Sequence, residues 1–188
     1  MSFVAIGKIM LNDIEKILYS EQEIAKRCVE LAQEIESYYK QEQESPLIVG
    51  LLKGSVPFMA ELMKRFTIPC DLDFMQVSSY VGTTSVGDVK VKKDLDSSCH
   101  GRYVLIVEDI IDTGRTLKSV KKMFLDKGAK DVKIVTLLNK PEGRVVDIEA
   151  DFEGFVIPDE FVVGYGLDYN QKYRNLPFVG ILKPEIYE

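Results

Sequence analysis

The chain has 188 residues, 46% hydrophobic and 29% charged, a composition that suits one globular domain with a real core and leaves little room for a second. Lys and Arg number 24 against 30 Asp and Glu; a net charge of −6 argues against a bulk nucleic-acid binder but allows a local cationic site for a small anion. No stretch reaches the ~20 apolar residues of a membrane span, the start lacks a signal-peptide pattern, and Cys28, Cys70 and Cys99 are scattered, so reduced thiols in a cytoplasmic protein are expected.

In chain order, residues 20–40 read as an amphipathic helix opened by a Ser20/Glu23 capping box, with Ile24, Cys28, Leu31, Ile35 and Tyr38 as its apolar stripe. Leu47 to Leu52 is a continuous apolar run, as in a strand buried on both faces. Gly54-Ser55 then open a helix with Pro57 in its first turn and Phe58, Met59, Leu62, Met63 and Phe66 on its inner face. Leu72 to Ser78 read as a second strand. Residues 79–101 are long and polar, rich in Gly, Thr and Ser, and read either as a lid or as an ordinary hairpin, with 88–91 as a ribbon at the far end. Cys99-His100 has no neighbouring Cys or His to complete a metal knuckle and reads as polar loop; His100 is the only histidine, and nothing around it suits a catalytic triad.

Val104 to Val107 form another two-sided buried strand. A helix is expected from about Thr113 to Lys127, with Leu117, Val120 and Phe124 inside and Gly128 as its C-terminal cap. Val132 to Leu138 form a further strand, and 155–157 and 161–163 shorter ones. The alternation of strand and helix implies an α/β fold with a mostly parallel sheet covered by helices.

The chemistry concentrates in Glu108-Asp109-Ile110-Ile111-Asp112-Thr113-Gly114-Arg115-Thr116. Ligands of open α/β sheets bind beyond the carboxyl ends of strands, where Glu108 and Asp109 fall. Two adjacent carboxylates are costly to bury without a cation or donors; a sugar diol and Mg²⁺ supply both. The following turn into a helix offers free backbone N–H groups, the hydroxyls of Thr113 and Thr116, and close approach at Gly114, which together make a monophosphate cradle. Read singly, Asp112 and Thr113 also suit helix caps, and the Glu108-Asp109 pair a solvated strand end. Neither a Walker A loop nor a GxGxxG dinucleotide motif is present.

The run 104–117 closely resembles the phosphoribosyl pyrophosphate signature of type I phosphoribosyltransferases, in the form seen in the hypoxanthine-guanine branch. Three further matches follow the expected order: Leu52-Lys53-Gly54, like the pyrophosphate loop whose Leu–Lys peptide can be cis; Ser79-Tyr80, like the start of the catalytic lid; and Phe161 to Tyr169 with Arg174, like the hood segment that closes over the base. Alone, Lys53 also suits a surface lysine, Tyr80 an exposed aromatic, Phe161 core and Asp168 a turn.

The resemblance implies one domain over residues 1–188: a core of about 20–157, a mobile lid of about 79–101, and a small hood from the N-terminal segment and about 158–188. It implies Mg²⁺-dependent transfer of the 5-phosphoribosyl group to N9 of hypoxanthine or guanine, giving IMP or GMP. Glu108 and Asp109 would bind the ribose hydroxyls, Asp112 act as general base at purine N7, and Thr113, Gly114, Arg115 and Thr116 hold the 5′-phosphate. Lys53, Gly54 and Arg174 would meet pyrophosphate, Lys140 donate to purine O6, Phe161 stack on the base, and Val162 meet its edge. Metal ligands would come from Glu108, Asp109 and Asp168. Homodimers or homotetramers are implied, with no nucleic-acid or membrane partner. Two readings stay open: a xanthine preference, and an RNA-binding attenuation regulator on the same fold, which the net charge of −6 disfavours.

Overall fold

The computed structural model describes residues 10–42, 45–79 and 89–188. Tyr80, and with it most of the Gly/Thr-rich stretch expected as a lid, lies outside them. Nine strands occur among the described residues: β1 Ile14–Tyr19, β2 Leu47–Leu51, β3 Asp71–Ser79, β4 Val89–Lys93, β5 Tyr103–Ile111, β6 Asp131–Asn139, β7 Phe152–Val156, β8 Val162–Val163 and β9 Val179–Leu182. The helices are α1 Glu21–Glu42, α2 Val56–Met63, α3 Arg115–Asp126 and a short α4 Pro184–Tyr187. None is long and apolar enough to cross a membrane.

Six strands form the main sheet in the order β4-β3-β2-β5-β6-β7. All its pairings are parallel except β3 with β4, as the alternating pattern implied. Every residue of β2 is buried, and so are Tyr103 to Val107 of β5, which explains their unbroken apolar runs. One face is packed by α1 and α2 through Leu31, Ile35, Phe58 and Leu62, the other by α3 through Leu117, Val120 and Phe124. From β2 the chain crosses to β3 on one side; from β5 it crosses to β6 on the other. The order therefore reverses between β2 and β5, the place where such sheets open a crevice for ligands. A second sheet, β1-β9-β8, is antiparallel and brings the start and end of the described chain together.

The capping box forms as expected: Glu23 accepts hydrogen bonds from Ser20 N at 2.8 Å and Ser20 Oγ at 2.6 Å. Gly128 takes φ +84° after α3, and Ala129 N closes back on the Phe124 carbonyl at 3.0 Å, a left-handed helix stop.

Several boundaries move. Tyr39, not Tyr38, completes the buried stripe of α1, because one residue is a 100° turn and Tyr38 swings to the rim, where its hydroxyl donates to Asp131. Met63 is exposed at the end of α2. Strand β5 runs four residues past Val107, so Glu108 and Asp109 lie within the last part of the strand. Helix α3 starts at Arg115, later than Thr113. Strands β1 and β9 have no counterpart among the elements the sequence predicts. Cys99 is buried and His100 exposed, so the two side chains face different surroundings.

Candidate active site

The carboxyl ends of β2 and β5 place two loops side by side. After β2 comes the turn Leu52-Lys53-Gly54-Ser55, in which the Leu52–Lys53 peptide is cis. Ser55 is fully buried and its Oγ donates to the Leu51 carbonyl at 2.6 Å, anchoring the turn to its strand. Gly54 lies against Asp109: a Cβ built on it would stand 1.4 Å from Asp109 Oδ2. From above, Gly166 (φ +103°) lies against the Gly54 carbonyl, which a Cβ would meet at 1.9 Å. Asp109, Gly54 and Gly166 are thus stacked in direct contact, which fixes a strand, a turn and a loop relative to one another.

Burial raises the Glu108 carboxyl well above the usual carboxylate range, and the charge of Asp109 adds to this. Burial also lifts Asp109, to about 6; a hydrogen bond from Ile110 N and the charge of Arg174 oppose that rise. Two acidic groups held where neither gains by ionising are poised for a ligand that brings positive charge or hydroxyl donors.

Beyond Ile111 the chain turns through Asp112 and Thr113 into α3. Gly114 is the N-cap residue, left-handed at φ +77°, and no side chain caps the helix. The reading of Asp112 and Thr113 as caps is thereby removed. Among the described residues no side chain caps these first-turn N–H groups, which border a cavity lined by Glu108, Asp112, Thr113, Gly114 and Thr116. Asp112 and Thr113 are exposed, Thr116 is half-buried, and Arg115 points outward into solvent.

Across the crevice lies the loop after β8. Asp168 Oδ1 pairs with Arg174 Nη2 at 2.6 Å, and Arg174 Nη1 donates to the Gly166 carbonyl at 2.7 Å. Asp168 Oδ2 accepts from Gln171 N at 2.8 Å, and Lys53 Nζ donates to Gln171 Oε1 at 3.3 Å. Lys53, far in sequence from Asp168 and Arg174, is therefore linked to them through Gln171, which the sequence did not single out.

Lys140 follows β6, and its ammonium pairs with Asp159 at 2.6 Å and donates to the Glu160 carbonyl at 3.4 Å. That places it beside the segment leading to Phe161. The Phe161 ring, 37% exposed, stacks on Tyr187 with centroids 4.7 Å apart and meets the edge of Tyr169 at 5.6 Å. Val162 is buried in β8, paired with Ile181. Ser79 ends β3, opposite Val89 of β4. Asp109 thus meets the Lys53 turn at Gly54 and feels the charges of Arg174 and Asp168, while Glu108, Asp112 and the turn into α3 line the neighbouring cavity. Lys140 and Phe161 form a second group at the end of β6. Asp159, Gln171 and Tyr187 lie outside the sequence motifs, and each meets Lys140, Lys53 or Phe161 only through the fold; Gly166 lies inside the 161–169 motif, but its contact with Gly54 does not show there.

Residues 15–170 match the family model described as the phosphoribosyl transferase domain. The chain is 55% identical to the hypoxanthine-guanine phosphoribosyltransferase of Bacillus subtilis, over 95% of this chain and 99% of that protein. It is 56% identical to the bifunctional protein TilS/HprT of Listeria monocytogenes over 95% of its own length, but spans only 27% of that longer protein. Its structure superposes on a crystal structure of a hypoxanthine phosphoribosyltransferase from Staphylococcus aureus with a TM-score of 0.92 and 47% identity, covering 97% of this chain and 99% of that one.

Proposed function

The chain belongs to the phosphoribosyl transferase domain family, and we propose that it salvages purines, joining hypoxanthine or guanine through N9 to the 5-phosphoribosyl group of phosphoribosyl pyrophosphate. One observation carries this reading. The acidic pair Glu108-Asp109 stands between an uncapped helix N-terminus on one side and the Lys53–Gln171–Asp168–Arg174 group on the other. A sugar diol flanked by a monophosphate and a pyrophosphate matches that order of charges.

In this reading Glu108 and Asp109 accept the ribose hydroxyls. The N–H groups opening α3, with the Thr113 and Thr116 hydroxyls, take the 5′-phosphate, and Arg115 adds charge at its edge. Lys53 and Arg174 draw off the leaving pyrophosphate, Gly54 allowing it close to the backbone. Asp112 takes or shares the N7 proton as N9 attacks the anomeric carbon. Phe161 stacks on the base, the Val162 backbone meets its edge, and Lys140 donates to O6. Adenine presents an amino donor there, so a donor would face a donor. The β1-β9-β8 sheet then serves as a hood over the base.

Mg²⁺ fits these residues. The raised Glu108 and Asp109 carboxyls gain from a cation, and Asp168 adds a third carboxylate on the pyrophosphate side. Among the described residues no group of three or more His, Cys, Asp or Glu side chains forms a cage. A hard cation that keeps waters and shares substrate phosphates needs none. When bound, it neutralises charge on the departing pyrophosphate.

The similarity to bacterial enzymes supports a cytoplasmic home. A homodimer or homotetramer is also part of this reading.

The test follows ultraviolet absorbance while the protein meets phosphoribosyl pyrophosphate, Mg²⁺ and hypoxanthine, guanine, xanthine or adenine. Conversion of hypoxanthine or guanine is expected, with adenine inert and no turnover without Mg²⁺. Failure to convert any purine would overturn it; xanthine converted best would reassign the base.

A further inference from the structure

Behind the turn into α3 lies an arginine outside every recognised motif. Arg144 follows the short helical turn Pro141–Gly143. Its Nη1 donates to the Asp112 carbonyl at 2.5 Å and its Nη2 to Asn139 Oδ1. The Asn139 amide is fixed in turn, since its Nδ2 donates to Glu153 Oε2 on β7 at 2.7 Å. The next residue, Val145, donates its backbone N–H to the Thr113 carbonyl at 3.2 Å.

A trans peptide is planar, and its N–H points opposite to its C=O. An Asp112 carbonyl held toward Arg144 turns the Thr113 N–H the other way. A Thr113 carbonyl held toward Val145 does the same for the Gly114 N–H. Two successive donors are thus aimed away from the Arg144 side, at the turn that borders the cavity opening α3. A guanidinium suits this task because its rigid fork reaches two acceptors at once; an ammonium is a single point. Gly143 adds a steric part: a Cβ on it would stand 2.0 Å from Asp112 Oδ1, so the turn that delivers Arg144 also makes room for the Asp112 carboxylate.

We propose that Arg144 is a positioning residue for the 5′-phosphate: it holds the Asp112–Thr113 peptide from behind, so that the loop's N–H groups are aimed before the ligand arrives. It touches no substrate. The inference rests on the transferase reading above.

The test compares wild type, Arg144→Ala and Arg144→Lys in the reverse reaction, from IMP and pyrophosphate. Lys53 and Arg174, proposed for pyrophosphate, hang on other loops. Arg144→Ala should therefore raise KM for IMP and lower kcat, together on the order of 100-fold in kcat/KM for IMP, with KM for pyrophosphate unchanged. Added guanidinium ion should restore part of the loss in Arg144→Ala, and Arg144→Lys should fall between the two. If wild type turns over and both KM values in Arg144→Ala stay at wild type, or rise together, the proposal is wrong. If Arg144→Ala does not fold, Arg144→Lys decides by the same split between the two KM values. An inactive wild type would instead overturn the transferase reading.

Discussion

Gly54 and Asp109 occupy each other's space: the Asp109 carboxylate fills the volume that a side chain at position 54 would take, with Oδ2 1.4 Å from an ideal Cβ. Gly54 does not have a positive φ, so its lack of a side chain answers to packing rather than to backbone conformation. Gly54→Ala should displace the carboxylate and lower kcat/KM for phosphoribosyl pyrophosphate on the order of 100-fold. Overpacking should cost about 1–3 kcal/mol in denaturant melts. Wild-type kinetics in a folded Gly54→Ala protein would show that the carboxylate position is immaterial.

Asp109 also carries a stability cost. Its folded-state value, raised by burial to about 6 from an ordinary 3.8, means that the folded chain holds a proton the unfolded chain has lost. The stabilisation is complete below the unfolded value and disappears as pH rises from about 4 through about 6. The ligand-free protein should lose stability over that window, and Asp109→Asn should flatten the loss. At pH 7 the variant should be more stable by on the order of 1–3 kcal/mol while losing activity. Urea melts at pH 4, 5, 6 and 7 check the sign; a destabilised Asp109→Asn at pH 7 would contradict it.

Glu36 behaves in the opposite sense. Burial pushes its carboxyl up, but hydrogen bonds from Thr67 N, Lys40, Thr67 Oγ1 and Ile68 N outweigh this and bring it to about 2. It ties α1 to the segment after α2. Its contribution is present above the unfolded value near 4.5 and is lost as pH falls through about 2. Glu36→Gln should cost about 2–3 kcal/mol at pH 7 and weaken the dependence of stability on pH below 4.5, with kcat unchanged at 25 °C. Thermal scans across acid pH, beside an activity assay, measure both.

Lys140 is expected to choose among bases. Lys140→Met keeps the length and removes the donor. The preference for hypoxanthine over adenine, measured as the ratio of kcat/KM values, should shrink by on the order of 100-fold or more. An unchanged ratio would move the choice of base to another residue.

Tyr187 supports Phe161 from the far end of the chain, ring on ring at 4.7 Å. Tyr187→Ala removes an aromatic pair worth about 0.5–1.5 kcal/mol, so KM for the purine should rise roughly 2- to 10-fold. KM for phosphoribosyl pyrophosphate should hold steady; a rise there instead would mean a general loosening of the fold.

The parts legible in the sequence were those with a local cause. Strand β2 and the first half of β5 show as apolar runs because both faces are covered, and α3 shows through its period of 3.6. The end of β5 did not show, because Glu108 and Asp109 interrupt the run while the ladder continues to Ile111 and Asn139. Strand β1 lacks a clean alternation: Ile17 is half exposed, and the strand stands because β9 pairs with it. In the site, the turn from Glu108 to Thr116 was readable because a strand end and a helix start lie within nine residues. Arg144, Asp159, Gln171 and Tyr187 were not, since each meets its partner only through folding.

The pairing of β1 with β9 sets an order of events. Strand β8, next to Phe161, is held by β9, which is held by β1. The turn into α3 draws on β5, α3, β6 and, through Arg144, Asn139 and Glu153, on β7, all of which precede β9 along the chain. As a ribosome releases the polypeptide, the cradle has all its parts well before Val179–Leu182 emerges, whereas the base platform must wait for that strand to return to Ile14–Tyr19. On the roles proposed above, a chain halted before β9 is expected to bind ribose phosphate but no purine.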